Sequence, residues 1–164
     1  MKVTFQGNPL ELVGKQIKVG DQFPDFTVTK NDLSTLTLTD TSGIRIFLTV
    51  PSLDTPVCDL EVMTFNQRAS EIPGVSVYTL SMDLPFAQAR WCGANAVDGV
   101  VTASDYKERS FADATGTFIK ELALLTRAVF VVDATGAIVY VQYLEEITEQ
   151  PDFDAILEAA KKLS

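Results

Sequence analysis

Histidine is missing from the 164 residues, and cysteine occurs only twice, as Cys58 and Cys92. Without histidine the chain cannot assemble a Ser-His-Asp or Cys-His nucleophile pair, nor a His-ligated metal site. Two cysteines cannot make a four-thiolate zinc site. No D-x-D-x-D-G loop or H-E-x-x-H helix suggests another metal centre, so neither metal nor cofactor is expected. No stretch approaches about 18 consecutive apolar residues, which removes a membrane-spanning helix from consideration. The opening MKVTFQGNPLELVG also lacks the run of about seven apolar residues that a secretory segment needs, and a cytoplasmic protein is expected. There thiols are kept reduced, and a disulfide is more often catalytic or redox-sensing than structural. Positive charge is scarce too: 13 Lys and Arg stand against 22 Asp and Glu, for a net charge of −9. Such a surface repels nucleic acid and anionic membrane, leaving small molecules and proteins as partners.

What is present suits a single globular domain over residues 1–164, with 46% hydrophobic and 21% charged residues. KVTFQ and LELVG flank Gly7-Asn8-Pro9, which predicts a β-hairpin over residues 1–14, standing as an appendage. FPDFTVTK and STLTLTD alternate with period two and read as short, half-exposed strands. The nearly continuous Ile44 to Val50 (IRIFLTV) has the character of a strand buried on both faces, and it stops at Pro51. Beyond it Cys58, Val62, Phe65, Ala69 and Ile72 recur at intervals of four, three, four and three, a single stripe of an α-helix. Val75 to Ser81 is the next strand; a short helix then opens at Pro85 and is expected to end at Gly93, with Cys92 closing it. Residues 94–126 are less regular, with room for a short helix around Asp105 to Phe111. Two strands flank the turn Asp133-Ala134-Thr135-Gly136, and a helical stripe of Phe153, Ile156, Leu157, Ala160 and Leu163 closes the chain. Phe26, Phe47, Phe65 and Phe118 are expected in the core. The order strand, helix, strand, helix, strand, strand, helix predicts an α/β, thioredoxin-like fold: a central mixed β-sheet flanked by helices, with an N-terminal β-hairpin extension.

Cys58 falls in the first turn of its helix, where unpaired backbone N–H groups and the positive end of the helix dipole favour a thiolate. Asp59 and Glu61, which read as ordinary first-turn acids, oppose this. The dipole contributes about 0.3 to 1 kcal/mol, and a carboxylate about 7 Å away in water-like surroundings counters with about 0.6 kcal/mol. A reactive Cys58 therefore needs a cation. Arg127 is the candidate, because an arginine entering the buried run AVFVV has no core-building reason. In a thioredoxin-like sheet the strand from Ala128 lies antiparallel to Ile44–Val50, so its start meets the end that leads into the Cys58 turn. Thr55, three residues before Cys58, can cap the helix or donate to a ligand at its N-terminus, while Pro51 and Pro56 stiffen the approach. A thiolate with an arginine, a hydroxyl and a helix N-terminus around it suits attack on a peroxide, whose departing oxygen carries negative charge.

Pro51, Thr55 and Cys58 match P-x-x-x-[TS]-x-x-C, the peroxiredoxin pattern. With DTPVCDLEV, RWCG and RAVFVVD the likeness extends over essentially the whole chain, which resembles the bacterial thiol peroxidases, atypical two-cysteine peroxiredoxins. The resemblance implies that Cys58 is the peroxidatic cysteine and Cys92 the resolving one, joined during turnover by an intramolecular disulfide. It makes Thr55, Pro51 and Arg127 the rest of the peroxide site. It further implies reduction of hydrogen peroxide and alkyl hydroperoxides, thioredoxin as reductant, and a homodimer.

The residues taken singly leave plainer readings open. Cys58 lies on an apolar stripe, as a small buried hydrophobe would, and Cys92 could simply pack a helix end. Arg127 could snorkel from a strand end. A dithiol oxidoreductase would need C-x-x-C, but the matching tetrad is Thr55-Pro56-Val57-Cys58. A non-catalytic thioredoxin-like binding module remains the alternative to an enzyme.

Overall fold

The computed structural model describes residues 1–95, 97 and 99–164. The chain opens with β1 (Lys2–Phe5) and β2 (Asn8–Val13), followed by β3 (Thr27–Lys30), β4 (Thr35–Thr37) and β5 (Ile44–Thr49). Next come α1 (Pro56–Ala69), β6 (Val75–Ser81), α2 (Pro85–Asn95), β7 (Val100–Ser104) and α3 (Ser110–Thr115). The strands β8 (Phe118–Ile119), β9 (Leu124–Leu125), β10 (Ala128–Val132) and β11 (Ile138–Tyr143) lead to α4 (Phe153–Lys161).

β5 is buried at all six positions, and the pleat divides its side chains between two cores. Ile44, Ile46 and Leu48 face one cluster with Val62 and Phe65 of α1 and Ile156 and Leu157 of α4. Phe47 faces the other, with Phe23, Phe26, Phe130 and Phe111 of α3. β5, β6 and β7 run parallel, and the other pairings are antiparallel, in a seven-stranded sheet of order β11-β10-β5-β6-β7-β3-β4. This is the expected thioredoxin-like α/β architecture. Phe65 and Phe118 are buried like Phe26 and Phe47.

Three expectations need correction, and one segment left open takes form. The N-terminal hairpin is no appendage: β2 pairs with β8, and β8 with β9, in a second sheet of order β1-β2-β8-β9 over Val3, Leu12, Ile119 and Ile147. α2 runs through Gly93 to Asn95, so Cys92 lies inside the last turn. Gly93 meets nothing within 4 Å of where a side chain would begin, and no positive φ ends the helix there. Ile72 lies beyond α1 but continues its buried stripe into the same core. The irregular 94–126 segment holds a third parallel strand, β7, and its helix is displaced to Ser110–Thr115. Asp105 instead accepts from the backbone N–H groups of Phe111 (3.0 Å) and Ala112 (2.8 Å), tying the preceding loop to that helix.

β10 pairs with β5 in the register Ala128↔Thr49, which brings Arg127 to the level where β5 ends. Ligand sites of α/β sheets form at this end of the parallel strands.

Candidate active site

β5 hands over to a loop from Val50 to Thr55, pinned mainly through Asp83. The Asp83 carboxylate accepts from Ser52 Oγ (2.7 Å), the Leu53 N–H (2.8 Å) and Ser81 Oγ (2.8 Å). Gln88 of α2, fully buried, donates to the same Ser81 hydroxyl (3.0 Å) and to the Ala103 carbonyl (2.9 Å). Thr55 precedes α1 in an extended conformation, and Pro56 takes the first helical position, where a missing N–H costs nothing. The Thr55 hydroxyl makes no cap bond to the helix; it donates back to the Ser52 carbonyl at 2.9 Å.

Cys58 follows in the first turn with no exposed surface. Arg127, 2% exposed, donates from Nη2 to Cys58 Sγ at 3.0 Å. Its Nε donates to the Ile147 carbonyl at 2.9 Å, and its Nη1 pairs with Glu61 Oε2. The guanidinium is thus held on three sides. Thr49 Oγ1 donates to the Thr126 carbonyl (2.8 Å), anchoring the backbone from which Arg127 departs.

The sequence pattern makes Glu61 an ordinary first-turn acid, and the structure overturns this: it is fully buried. Residues three apart on a helix share a face, so Glu61 and Cys58 both meet Arg127. Burial pushes the Glu61 carboxyl up to about 7, and Arg127 pulls it back only in part. Burial likewise works against the guanidinium charge, but Glu61 and Cys58 outweigh it and hold Arg127 more firmly protonated than usual. Glu61 Oε1 has no hydrogen-bond partner among the described residues. Asp59, in contrast, accepts from Trp91 Nε1 of α2 at 2.8 Å. The i, i+3 spacing from Cys58 beside an apolar stripe is the signal for Glu61, masked by the frequency of acids at helix starts.

A pocket of about 60 Å³ opens from the surface onto Arg127, lined by Phe5, Pro51, Thr55, Val57, Ile147 and Thr148. Pro51, Thr55 and Arg127 are therefore brought together as expected. Cys58 lies behind Arg127 and does not itself line the pocket. Two of its walls are not foreshadowed in the sequence: Phe5 of the N-terminal hairpin and the loop at Ile147 and Thr148.

Cys92 stands apart. Its Sγ lies 3.4 Å from Thr102 Oγ1 and accepts weakly from Asn31 Nδ2 at 4.0 Å. It borders a separate cleft of about 310 Å³ with Lys30, Asn31, Asp32 and Val100. Both thiols are free. Among the described residues no group of acids and cysteines is arranged to hold a metal ion, and no helix is long and apolar enough to cross a membrane.

The family model described as Redoxin matches residues 18–157. A thiol peroxidase of Clostridium acetobutylicum is 58% identical over 161 residues, covering 98% of both chains. One from Bacillus subtilis is 51% identical over 163 residues, covering 99% of this chain and 98% of its own. The crystal structure of a peroxiredoxin-like protein from Aquifex aeolicus superposes with a TM-score of 0.93 at 40% identity, over 99% of this chain and 97% of the other. The site geometry and these likenesses agree: the chain belongs to the Redoxin family and, within it, to the thiol peroxidases, enzymes of the peroxiredoxin type.

Proposed function

We propose that the chain, acting as one unit over residues 1–164, reduces hydrogen peroxide and organic hydroperoxides through Cys58, and that Cys92 resolves the oxidised thiol. The observation that carries this reading is the 3.0 Å approach of Arg127 Nη2 to Cys58 Sγ, made by a guanidinium that also lines a pocket with Pro51 and Thr55. The Cys58 thiolate attacks one peroxide oxygen, the O–O bond breaks, and Cys58 becomes a sulfenic acid. The other oxygen leaves as alkoxide or hydroxide and takes up a proton. Arg127 stabilises that charge, and Thr55 orients the peroxide. The Cys92 thiol then condenses with the sulfenic acid, releasing water and forming an intramolecular disulfide. A thioredoxin-type dithiol reduces this disulfide by exchange and becomes oxidised itself. The working form is a cytoplasmic homodimer, and no nucleic acid, membrane, metal or cofactor takes part.

Two cysteines bridge only when their Cα atoms come within about 7 Å. Here each thiol has its own partners, Arg127 for Cys58 and Thr102 with Asn31 for Cys92. The second step therefore includes release of the last turn of α2. Peroxide consumption with thioredoxin and its reductase tests the cycle. Cys58→Ser should abolish it. Cys92→Ser should consume about one equivalent of peroxide per chain and then stall under thioredoxin-dependent turnover. Mass spectrometry of the oxidised protein should recover a Cys58–Cys92 peptide pair from within one chain.

The complete burial of Cys58 is also what a non-catalytic thioredoxin-like binding module would show. Iodoacetamide decides between them: the peroxidase should be alkylated at Cys58 while folded at neutral pH, and an inert core cysteine should not.

A further inference from the structure

The pocket over Arg127 is small, and what lies at its mouth is set by a part of the fold remote in sequence. At about 60 Å³ it holds a few water-sized groups, enough for the two peroxide oxygens and the first carbons. Anything longer must emerge past the lining residues that reach the surface, the exposed Phe5 and the half-buried Val57. Phe5 keeps 41% of its surface exposed, an aromatic face left uncovered beside a site that takes peroxides.

The position of Phe5 is built by a specific set of contacts. It ends β1 directly before a tight turn in which Gln6 and Gly7 both have positive φ, 51° and 82°, and Phe5 pairs across that turn with Asn8. The turn is clamped by the Glu146 carboxylate. One oxygen accepts from Thr4 Oγ1 (3.1 Å) and the Gly7 N–H (2.9 Å); the other accepts from the N–H (2.9 Å) and Oγ1 (2.6 Å) of Thr148. Main-chain bonds run alongside, from the Thr4 N–H to the Glu145 carbonyl (2.7 Å) and from the Ile147 N–H to the Thr4 carbonyl (2.9 Å). The Ile147 carbonyl is the one that accepts from Arg127 Nε. One loop, residues 145–148, thus holds the hairpin on its outer side and the guanidinium on its inner side.

We infer that the β1–β2 hairpin is a working wall of the active site, and that Phe5 is a specificity-determining residue that packs against the carbon tail of an organic hydroperoxide. This rests on the peroxidase reading above. The O–O group reaches inward to Arg127 and Thr55, and the tail lies outward along Phe5 and Val57. Hydrogen peroxide has no tail and gains nothing from that surface. Burial of apolar tail against an aromatic face favours the organic substrate in the transition state as in the bound state, so the effect falls on kcat/KM.

The test compares wild type, Phe5→Leu and Phe5→Ala with cumene hydroperoxide and with hydrogen peroxide, using the full chain and a saturating dithiol reductant. The quantity read is the ratio of the two kcat/KM values. Phe5→Ala should lower that ratio by about tenfold, the scale of losing a few methylene-sized contacts, and Phe5→Leu should restore most of it. Because Phe5 is partly exposed, circular dichroism and melting should match wild type. A ratio unchanged in Phe5→Ala while wild type turns over both peroxides would overturn the role of Phe5 and leave the peroxidase reading intact. No turnover of either peroxide by wild type would overturn that reading, and this one with it.

Discussion

Arg127 makes three bonds with three different purposes. Cys58 is the sulfur proposed to react, Glu61 the counter-charge, and the Ile147 carbonyl the anchor. A guanidinium suits this because its donors lie in one rigid plane at fixed angles, which a lysine cannot reproduce. Arg127→Gln should slow oxidation of Cys58 by about 10 to 1000-fold, as expected for losing one preorganised electrostatic donor, and Arg127→Lys should recover little of it. Stopped-flow rates equal to wild type would make the arginine structural only. Glu61 has the converse logic. Removing it leaves a buried guanidinium without its counter-charge, so Glu61→Ala should lower stability by about 3 to 5 kcal/mol in urea unfolding. Glu61→Gln keeps an acceptor for Nη1 and should lose clearly less. An alanine variant as stable as wild type would mean that the pair contributes nothing to the fold.

At the scale of elements, α2 is held unevenly. Its first half is fixed by Gln88, whose bonds to Ser81 and Ala103 join the Asp83 network that also pins the loop before Cys58. Its second half carries Cys92, and there Trp91 bonds to Asp59 of α1, while the longer Arg90–Asp54 contact at 3.6 Å joins exposed side chains of α2 and the loop before α1. Unwinding from Asn95 back towards Trp91 therefore leaves the Gln88 anchor and the loop before Cys58 in place. Trp91→Phe removes the bond to Asp59 while keeping an aromatic ring in the core. It should raise the rate of Cys58–Cys92 disulfide formation after a single turnover by up to about tenfold, the equivalent of one hydrogen bond of about 1 kcal/mol or slightly more. Hydrogen exchange should show residues 92–95 opening before residues 85–88. If Trp91→Phe leaves the rate of disulfide formation unchanged, release of α2 is not governed by this contact.

Over the whole molecule, ionisable groups pull stability in two directions with pH. Asp105 is raised to about 6 by burial, which outweighs its bonds from Ala112 and Phe111, and Glu61 is raised to about 7 for the same first reason. A carboxyl whose pKa is higher folded than unfolded holds more protons in the native state, so its contribution falls as pH rises from about 4 through the folded value. The growing negative charge of this acidic chain acts in the same sense. Glu146 behaves oppositely: bonds from Thr148 and the Gly7 N–H hold it down to about 2, and its support, present above about 4.5, is lost as pH falls towards that value. The melting temperature should therefore rise by several degrees from pH 8 to about pH 5 and fall again below about pH 4. Asp105→Asn should flatten the upper limb between about pH 4 and pH 6. A melting temperature that climbs steadily from pH 5 to pH 8 would contradict the assignment of Asp105 and Glu61 as buried acids.

Much of this was legible in the residues alone. The apolar run of β5, the period of α1, the turn at Asp133 to Gly136 and the spacing of Pro51, Thr55 and Cys58 are local patterns, and local patterns survive in sequence because backbone geometry repeats them. Even Arg127 could be placed beside the Cys58 turn, because the strand order of a thioredoxin-like sheet leaves the start of β10 nowhere else to go. The burial of Glu61, the docking of the N-terminal hairpin on residues 145–148 and the arrival of Phe5 at the pocket were decided by tertiary structure. Each depends on a pairing between distant residues, Glu61 with Arg127 and Thr4 with Glu146. Periodicity tells which face of an element is apolar, but an acid at a helix start or an aromatic at a hairpin end looks the same whether water or a buried arginine lies opposite, and only the folded chain supplies what lies opposite.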